Sequence, residues 1–259
     1  MILSALLQIL AQLPLLGVGA AGVPASITRV RVNQFAAAGF NCSPTCTVTI
    51  TSSTGQLGVL AYNLEAGTQG KGFSSITGGG TWSTSAGACI SQDNNSGNTV
   101  DIAYNLNLTA GTTSVSVTLQ ANDSSATFVY YEASIPRGSF GLAAGCQVTN
   151  SPSAAEPNYT PSIMTGYVNN VVLAFLSADH AYCTNATVSS VGGTASGWTT
   201  PILAGTNTPG TGANVGSSIE DALNVGPGTY QAQWNQVNPA ATCTPVTDTW
   251  AGSAIAFHD

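Results

Sequence analysis

Phe128–Ile135 reads FVYYEASI, and this run sets the fold class. Aromatic and β-branched residues fit a pleated, packed surface better than a helix. Seven of the eight positions suit a half-buried strand, and the exception is Glu132. Alternation puts Phe128, Tyr130, Glu132 and Ser134 on one face, with Val129, Tyr131, Ala133 and Ile135 on the other. Glu132 therefore shares a face with two large aromatics, where a carboxylate must be paired, hydrogen-bonded or protonated. The expected role is a structural pin that accepts from backbone N–H groups or Tyr hydroxyls, with Arg137 beyond the turn as one available cation. General acid–base chemistry is the competing role.

Outward from this run the chain continues as strands and turns. VRVNQF and CTVTITSS alternate, and LGVLAYNL is apolar enough to lie between two layers. DIAYNLNL and SVSVTLQA alternate as well, and TAGTT between them predicts a hairpin. NNVVLAFLSA is the most apolar run and predicts a central strand, while TASGWTTPIL, GTYQAQWN and TWAGSAIAFH predict further strands. IEDALNVGPG has room for one helical turn, and no long helix is expected after residue 20. About ten short strands with Gly, Pro and Asn turns, no repeat period and no linker predict an all-β chain. The expected organisation is a single jelly-roll-like β-sandwich over 26–259, preceded by an apolar segment over 1–25 for which a helix is one reading.

Only 6% of the residues are charged, against about a quarter in ordinary proteins. The net charge is -7, and the cations are Arg29, Arg31, Lys71 and Arg137. No basic patch exists to neutralise a row of phosphates, which excludes nucleic acid and an anionic membrane surface as partners. A surface of Ser, Thr, Asn, Gln and Gly repels copies of itself weakly, so self-association is the expected partnership.

The six cysteines, Cys42, Cys46, Cys89, Cys146, Cys183 and Cys243, include no Cys-x-x-Cys pair. Their even number predicts up to three disulfides in an oxidising compartment, hence an extracellular or cell-surface location. Cys146 with Cys183 is the first pairing to expect, since both flank one irregular loop; buried free thiols are the other reading. Sequons begin at Asn41, Asn94, Asn107, Asn122, Asn158 and Asn185 and permit glycosylation.

Residues 1–25 carry no charge. Small residues at Ala20, Ala21 and Ala25 fit a secretory signal peptide, but a basic residue after Met1 is missing. Pro14 and the glycines from Gly17 interrupt the apolar run, so no stable transmembrane anchor is expected. If retained, the segment needs a place to bury Leu6, Leu10 and Leu13, and a second copy of the chain supplies one.

Motifs for chemistry are scarce. Glu220 and Asp221 are the adjacent acidic pair, expected as solvated groups near an edge strand; Glu132 with Glu220 is the one pair to weigh for glycoside hydrolysis. No G-x-S-x-G occurs, and a triad would have to use His180, beside Asp179, or His258, near a fraying end. Asp93–Asp101 is rich in oxygen ligands but has Tyr104 where an EF-hand needs glutamate. No metal and no cofactor is expected. Trp82 and Trp198, each beside glycine, are the candidates for an exposed glycan-stacking surface, whereas Trp234 and Trp250 are expected in the core.

FVYYEASI, then VVLAFL, GTYQAQW and a closing W-x-G-x-x-I-A-F resemble an uncharacterised family of secreted bacterial β-sandwich (jelly-roll-like) proteins, over about Gln56–Phe257. In that family a strand ending Glu-(aromatic or small)-Ser precedes the central loop, and the last strand ends Ala-Phe. Ala133 stands where an aromatic is commoner. The resemblance implies a fold and an extracellular site, and no activity.

These readings together predict a non-catalytic extracellular structural or adhesive protein, with a self-assembling surface filament subunit as the specific form. The alternatives are a carbohydrate-binding module built on Trp82 and Trp198, or a carbohydrate-active enzyme built on Glu132 and Glu220.

Overall fold

The computed structural model describes residues 25–36, 42–51, 53–64, 72–84, 89–92, 99–122, 126–154, 158–159, 161–178, 185–188, 198, 202–204, 216–237 and 248–259. Leu6, Leu10, Leu13, Asp179, His180, Cys183 and Cys243 lie outside these residues.

All regular structure among the described residues is β-strand. The first strands are β1 (Thr28–Ala36), β2 (Thr45–Thr49), β3 (Leu57–Leu64), β4 (Phe73–Thr77) and β5 (Ser83–Thr84). They are followed by β6 (Ser91–Gln92), β7 (Thr99–Asn105), β8 (Ser114–Leu119), β9 (Thr127–Ser134) and β10 (Gly141–Ala154). Next come β11 (Asn158–Tyr159), β12 (Ile163–Thr165), β13 (Asn170–Ala178), β14 (Asn185–Val188) and β15 (Ile202–Ala204). The last are β16 (Gly216–Val225), β17 (Gly228–Tyr230), β18 (Gln233–Val237) and β19 (Asp248–His258).

Three sheets stack as layers of a sandwich-type fold. The middle sheet has the order β1-β9-β3-β7-β5, with β6 also on β7. The front sheet is β2-β8-β4, and the back sheet is β10-β19-β13-β16-β15. β9 explains the stacking. Phe128 and Tyr130 pack forward with Leu60, Tyr62, Val115 and Val117, while Val129, Tyr131 and Ala133 pack backward with Val171, Leu173 and Phe257. FVYYEASI is therefore buried on both faces and not half-buried, because six of its eight positions offer apolar surface. Each fully buried Phe-sized side chain contributes roughly 1.5–3 kcal/mol.

LGVLAYNL, as β3, lies between two layers as its composition predicts. NNVVLAFLSA, as β13, lies between β19 and β16 in the back sheet.

The hairpin expected between DIAYNLNL and SVSVTLQA does not form. β7 belongs to the middle sheet and β8 to the front sheet. The connection bonds to other segments instead: Leu108 N donates to Gln56 O at 2.8 Å and Thr109 N to Gly79 O at 2.7 Å. The burial pattern gives the reason. β7 is buried nearly throughout and needs neighbours on both faces, whereas β8 is buried at alternate positions and covers only one. IEDALNVGPG is also corrected, since it completes strand β16 and opens β17 and carries no helical turn.

Two bulges aim side chains that matter below. Arg29 faces Ala133 and Arg31 faces Glu132, so Val30 is extra and the two arginines leave opposite faces of β1. In β16, Asn224 is the extra residue, with φ 56°, a conformation Asn tolerates better than most. Its amide mimics a strand partner for Ile27, accepting from Ile27 N at 2.6 Å and donating to Ile27 O at 2.9 Å.

Candidate functional site

The bulge in β1 distributes two cations to two buried carboxylates. On the front face Glu132 is fully buried. Its Oε1 accepts from Thr54 N and from Thr54 Oγ1, each at 2.5 Å. Its Oε2 accepts from Tyr130 Oη at 3.0 Å and meets Arg31 Nε at 3.0 Å. Three hydrogen bonds and the Arg31 charge compensate one carboxylate, which answers the cost of burying it, although Arg31 Nε is not aligned for a hydrogen bond. The cation is Arg31 and not the expected Arg137, which is exposed. Arg31 is far away in sequence but directly opposite Glu132 in the β1–β9 register.

A second trio of the same composition stands on the back face. Asp221 accepts from Tyr131 Oη at 2.8 Å through Oδ2, and its Oδ1 meets Arg29 Nη1 at 3.3 Å. Tyr130 and Tyr131 are consecutive, so alternation sends one hydroxyl to each face. Burial comes first among the causes that hold both phenols well above their ordinary pKa, followed by the adjacent carboxylates. Both remain neutral hydrogen-bond donors at any physiological pH.

Asp101 is the third buried carboxylate. It accepts from Phe73 N at 2.7 Å, and burial raises its pKa to about 7 although that bond and one from Ile102 oppose the shift. Gly72 makes the approach possible, because a Cβ there would stand 2.5 Å from Asp101 Oδ2. Asp101 is thus a tie between β4 and β7, while the loop before it, proposed above as oxygen-rich, lies outside the described residues at 93–98.

Glu220 differs from all of these. The expectation of solvated carboxylates at Glu220 and Asp221 is wrong, since both are buried within β16. Alternation turns Asp221 toward the middle sheet and Glu220 outward, on the face that carries Ala222. Trp198 forms an isolated bridge with Ala222. Neither Glu220 oxygen has a hydrogen-bond partner, nor do the buried indole N–H groups of Trp198 and Trp250. Burial, then the neighbouring Asp221 charge, raises the Glu220 pKa to about 9. At neutral pH Glu220 holds a proton, and its neutral form is the affordable one in an apolar setting.

Glu132 and Glu220 are not brought together as a hydrolytic pair. Glu132 points forward from the middle sheet, and Glu220 points outward from the back sheet. A glycosidase needs its two carboxyls within about 10 Å across a substrate cleft. Two packed layers separate these.

Trp82 is not an exposed platform. It is buried among Leu60, Leu108 and Tyr130 in the front core, and its Nε1 donates to Gly78 O at 2.9 Å. The glycine beside it supplies a turn, not exposure. Trp198 is half-buried against Val172, Ala222 and Ala254. Trp250 is in the core as expected. His258 does not fray: it ends β19 and stacks on Tyr167 with ring centroids 3.7 Å apart.

Cys42 and Cys46 form a disulfide across a four-residue separation. Cys89 and Cys146 carry no disulfide and pack into one core cluster; Cys183, the expected partner of Cys146, lies outside the described residues.

Among the described residues no group of three or more His, Cys, Asp or Glu is arranged to hold a metal ion. Among the described residues there is no helix long and apolar enough to cross a membrane, a statement that says nothing of β-barrels.

Comparison with known proteins adds little. No protein-family model matches the chain, and no curated protein does. A solved structure of Sulfolobus Turreted Icosahedral Virus aligns over 91% of this chain and 91% of that one, at 8% identity and a TM-score of 0.27. At that score the alignment carries no structural argument.

Sequence reasoning missed Arg31, Thr54 and Tyr131 as partners of the buried carboxylates. A signal existed for the arginines only: Arg29 and Arg31 are two of the four cations and share one strand.

Proposed function

We propose that this chain is a non-catalytic structural protein of a cell exterior that associates with copies of itself. The observation that carries the reading is the paired arrangement of Tyr130–Glu132–Arg31 and Tyr131–Asp221–Arg29 on opposite faces of the middle sheet. A chain with eleven acidic residues commits two of them, with two of its four cations, to internal ties: Asp221 joins the back sheet to the middle sheet, and Glu132 joins β1, β9 and the segment before β3. Groups committed to the fold in this way are poorly placed to serve a substrate.

Self-association is supported by what the fold leaves uncovered. Met164 is 74% exposed and Val168 71%, which is unusual for large apolar side chains placed four residues apart. β10 is a long edge strand of the back sheet and exposes Leu142 and Val148. Strand edges of this kind accept further strands. In the filament form, Leu6, Leu10 and Leu13 bury against the next copy.

Electron microscopy and sedimentation of the full chain test the proposal. Ordered polymers, lost on Leu10→Asp or on deletion of residues 1–25 while the domain stays folded, are expected. A monodisperse monomer at high concentration with residues 1–25 present would count against it. A second reading, glycan binding, retains Trp198 as its one half-exposed candidate ring. A glycan that quenches tryptophan fluorescence in wild type but not in Trp198→Phe would favour that reading.

A further inference from the structure

Cys89 lies two residues before β6, which pairs with β7 in the middle sheet. Cys146 lies on β10, the edge strand of the back sheet, inside the irregular register between Ala144 and Gln147. Two further bonds hold these segments side by side. Ser91 Oγ donates to Thr149 O on β10, and Ser253 Oγ of β19 donates to Cys89 O at 3.2 Å. Between these bonds both side chains join the core between the middle and back sheets, Cys89 buried within it and Cys146 half-buried against it.

We infer that Cys89 and Cys146 form a second disulfide, a covalent tie between the middle and back sheets. Both residues pack into one core cluster, and the Ser91–Thr149 bond clips their segments together a few residues away. The pair is also placed where a tie is useful. β10 has a strand partner on one side only, β19, and several register breaks weaken that ladder.

The chemistry needs an electron acceptor, and a small-molecule disulfide such as oxidised glutathione supplies it. One protein thiolate attacks that disulfide, releasing one glutathione thiolate and leaving a mixed disulfide. The second protein thiolate then attacks the mixed disulfide, forming the Cys89–Cys146 S–S bond and releasing the second glutathione. Two thiol protons leave, and the electron pair ends on the two glutathione sulfurs. The Cys89 thiol and burial hold the Cys146 thiol well above its ordinary pKa, so attack is slow once the core has closed. Oxidation therefore belongs to folding and not to the finished molecule. The inference does not rest on the structural-protein reading.

The sequence provides a direct assay. Refold the full chain with oxidised and reduced glutathione, block free thiols with iodoacetamide in denaturant, and digest with trypsin plus a protease that cuts before aspartate. Cys89 then lies in fragment 72–92, Cys146 in 138–178, Cys183 in 179–220 and Cys243 in 221–247. Mass spectrometry is expected to show 72–92 joined to 138–178, with the two separating on reduction. Fragment 72–92 found alone and alkylated, or joined to 179–220 or 221–247, would overturn the inference.

Discussion

Glu132 and Glu220 are both withdrawn from water, yet their surroundings are opposites. Glu132 lies between the front and middle sheets, and two hydrogen bonds from Thr54, one from Tyr130 and an ion pair with Arg31 bring three separate segments to it. Glu220 lies on the outer face of the back sheet, and neither oxygen has a partner. Depth alone therefore does not reveal a role. What decides is whether the backbone delivers donors to the same place. At Glu132 it does so through the β1–β9 register and the bulge at Val30. At Glu220 the register partner is Ala174, which has no polar side chain.

The contrast can be broken first at its strongest point. Glu132→Ala leaves Arg31, Thr54 N and the Tyr130 hydroxyl without their acceptor. Breaking a buried pair in this way costs about 3–5 kcal/mol, and urea unfolding should show a loss of that size. A loss below about 1 kcal/mol would mean that water replaces the carboxylate easily.

The back trio should be weaker. Its ion pair is longer, at 3.3 Å, and the Arg29 side chain is 33% exposed against 20% for Arg31. Asp221→Asn should cost about 1–3 kcal/mol, less than the same change in charge at Glu132. The two substitutions sit in one connected network through β9, so the double variant should depart from additivity.

Titration sharpens the comparison further. Glu220 holds its proton up to about pH 9 when folded, against an ordinary value of 4.5. Asp101 does so up to about pH 7, against 3.8. In each case the unfolded chain releases the proton first, so it binds fewer protons than the folded chain inside the window. The stability these two groups contribute is therefore full in acid and declines as pH rises, by at most about 1.4 kcal/mol per unit for each. Both act between about pH 4.5 and 7, and Glu220 alone between about 7 and 9. Glu220→Gln should remove the decline above pH 7. An unchanged slope in that variant would show that Glu220 is ionised in the fold.

The smallest effect is expected at Trp82. Trp82→Phe keeps most of the buried surface and loses the bond to Gly78 O, at a cost of about 1 kcal/mol. If the variant instead lost affinity for a glycan without losing stability, the buried assignment would be wrong.

How much of this was legible in the sequence follows from the range of each signal. Strand character was, because alternation and β-branched composition act over a few residues, as in β3, β9 and β13. Layering was legible only where a strand is apolar on both faces, as LGVLAYNL is. The β7–β8 connection was misread since a polar loop between alternating runs looks the same whether it turns back or crosses layers. The partner of Glu132 was misread for a related reason. Arg137 is near in sequence, but Arg31 is near in space, and only strand pairing converts one into the other. Trp82 looked exposed beside Gly78–Gly80, although the glycines serve a turn whose carbonyl caps the buried indole.

The central claim is that a buried carboxylate with donors aimed at it pins the fold and that one without them does not. Paired urea unfolding of Glu132→Gln and Glu220→Gln at pH 7.5 tests it most directly. Glu132→Gln should fall below wild type by about 1–3 kcal/mol, because an amide offers one acceptor oxygen in place of two and no charge to Arg31. Glu220→Gln should equal or exceed wild type, because the folded chain no longer has to retain a proton there. The opposite order, or equal losses in both, would contradict the account.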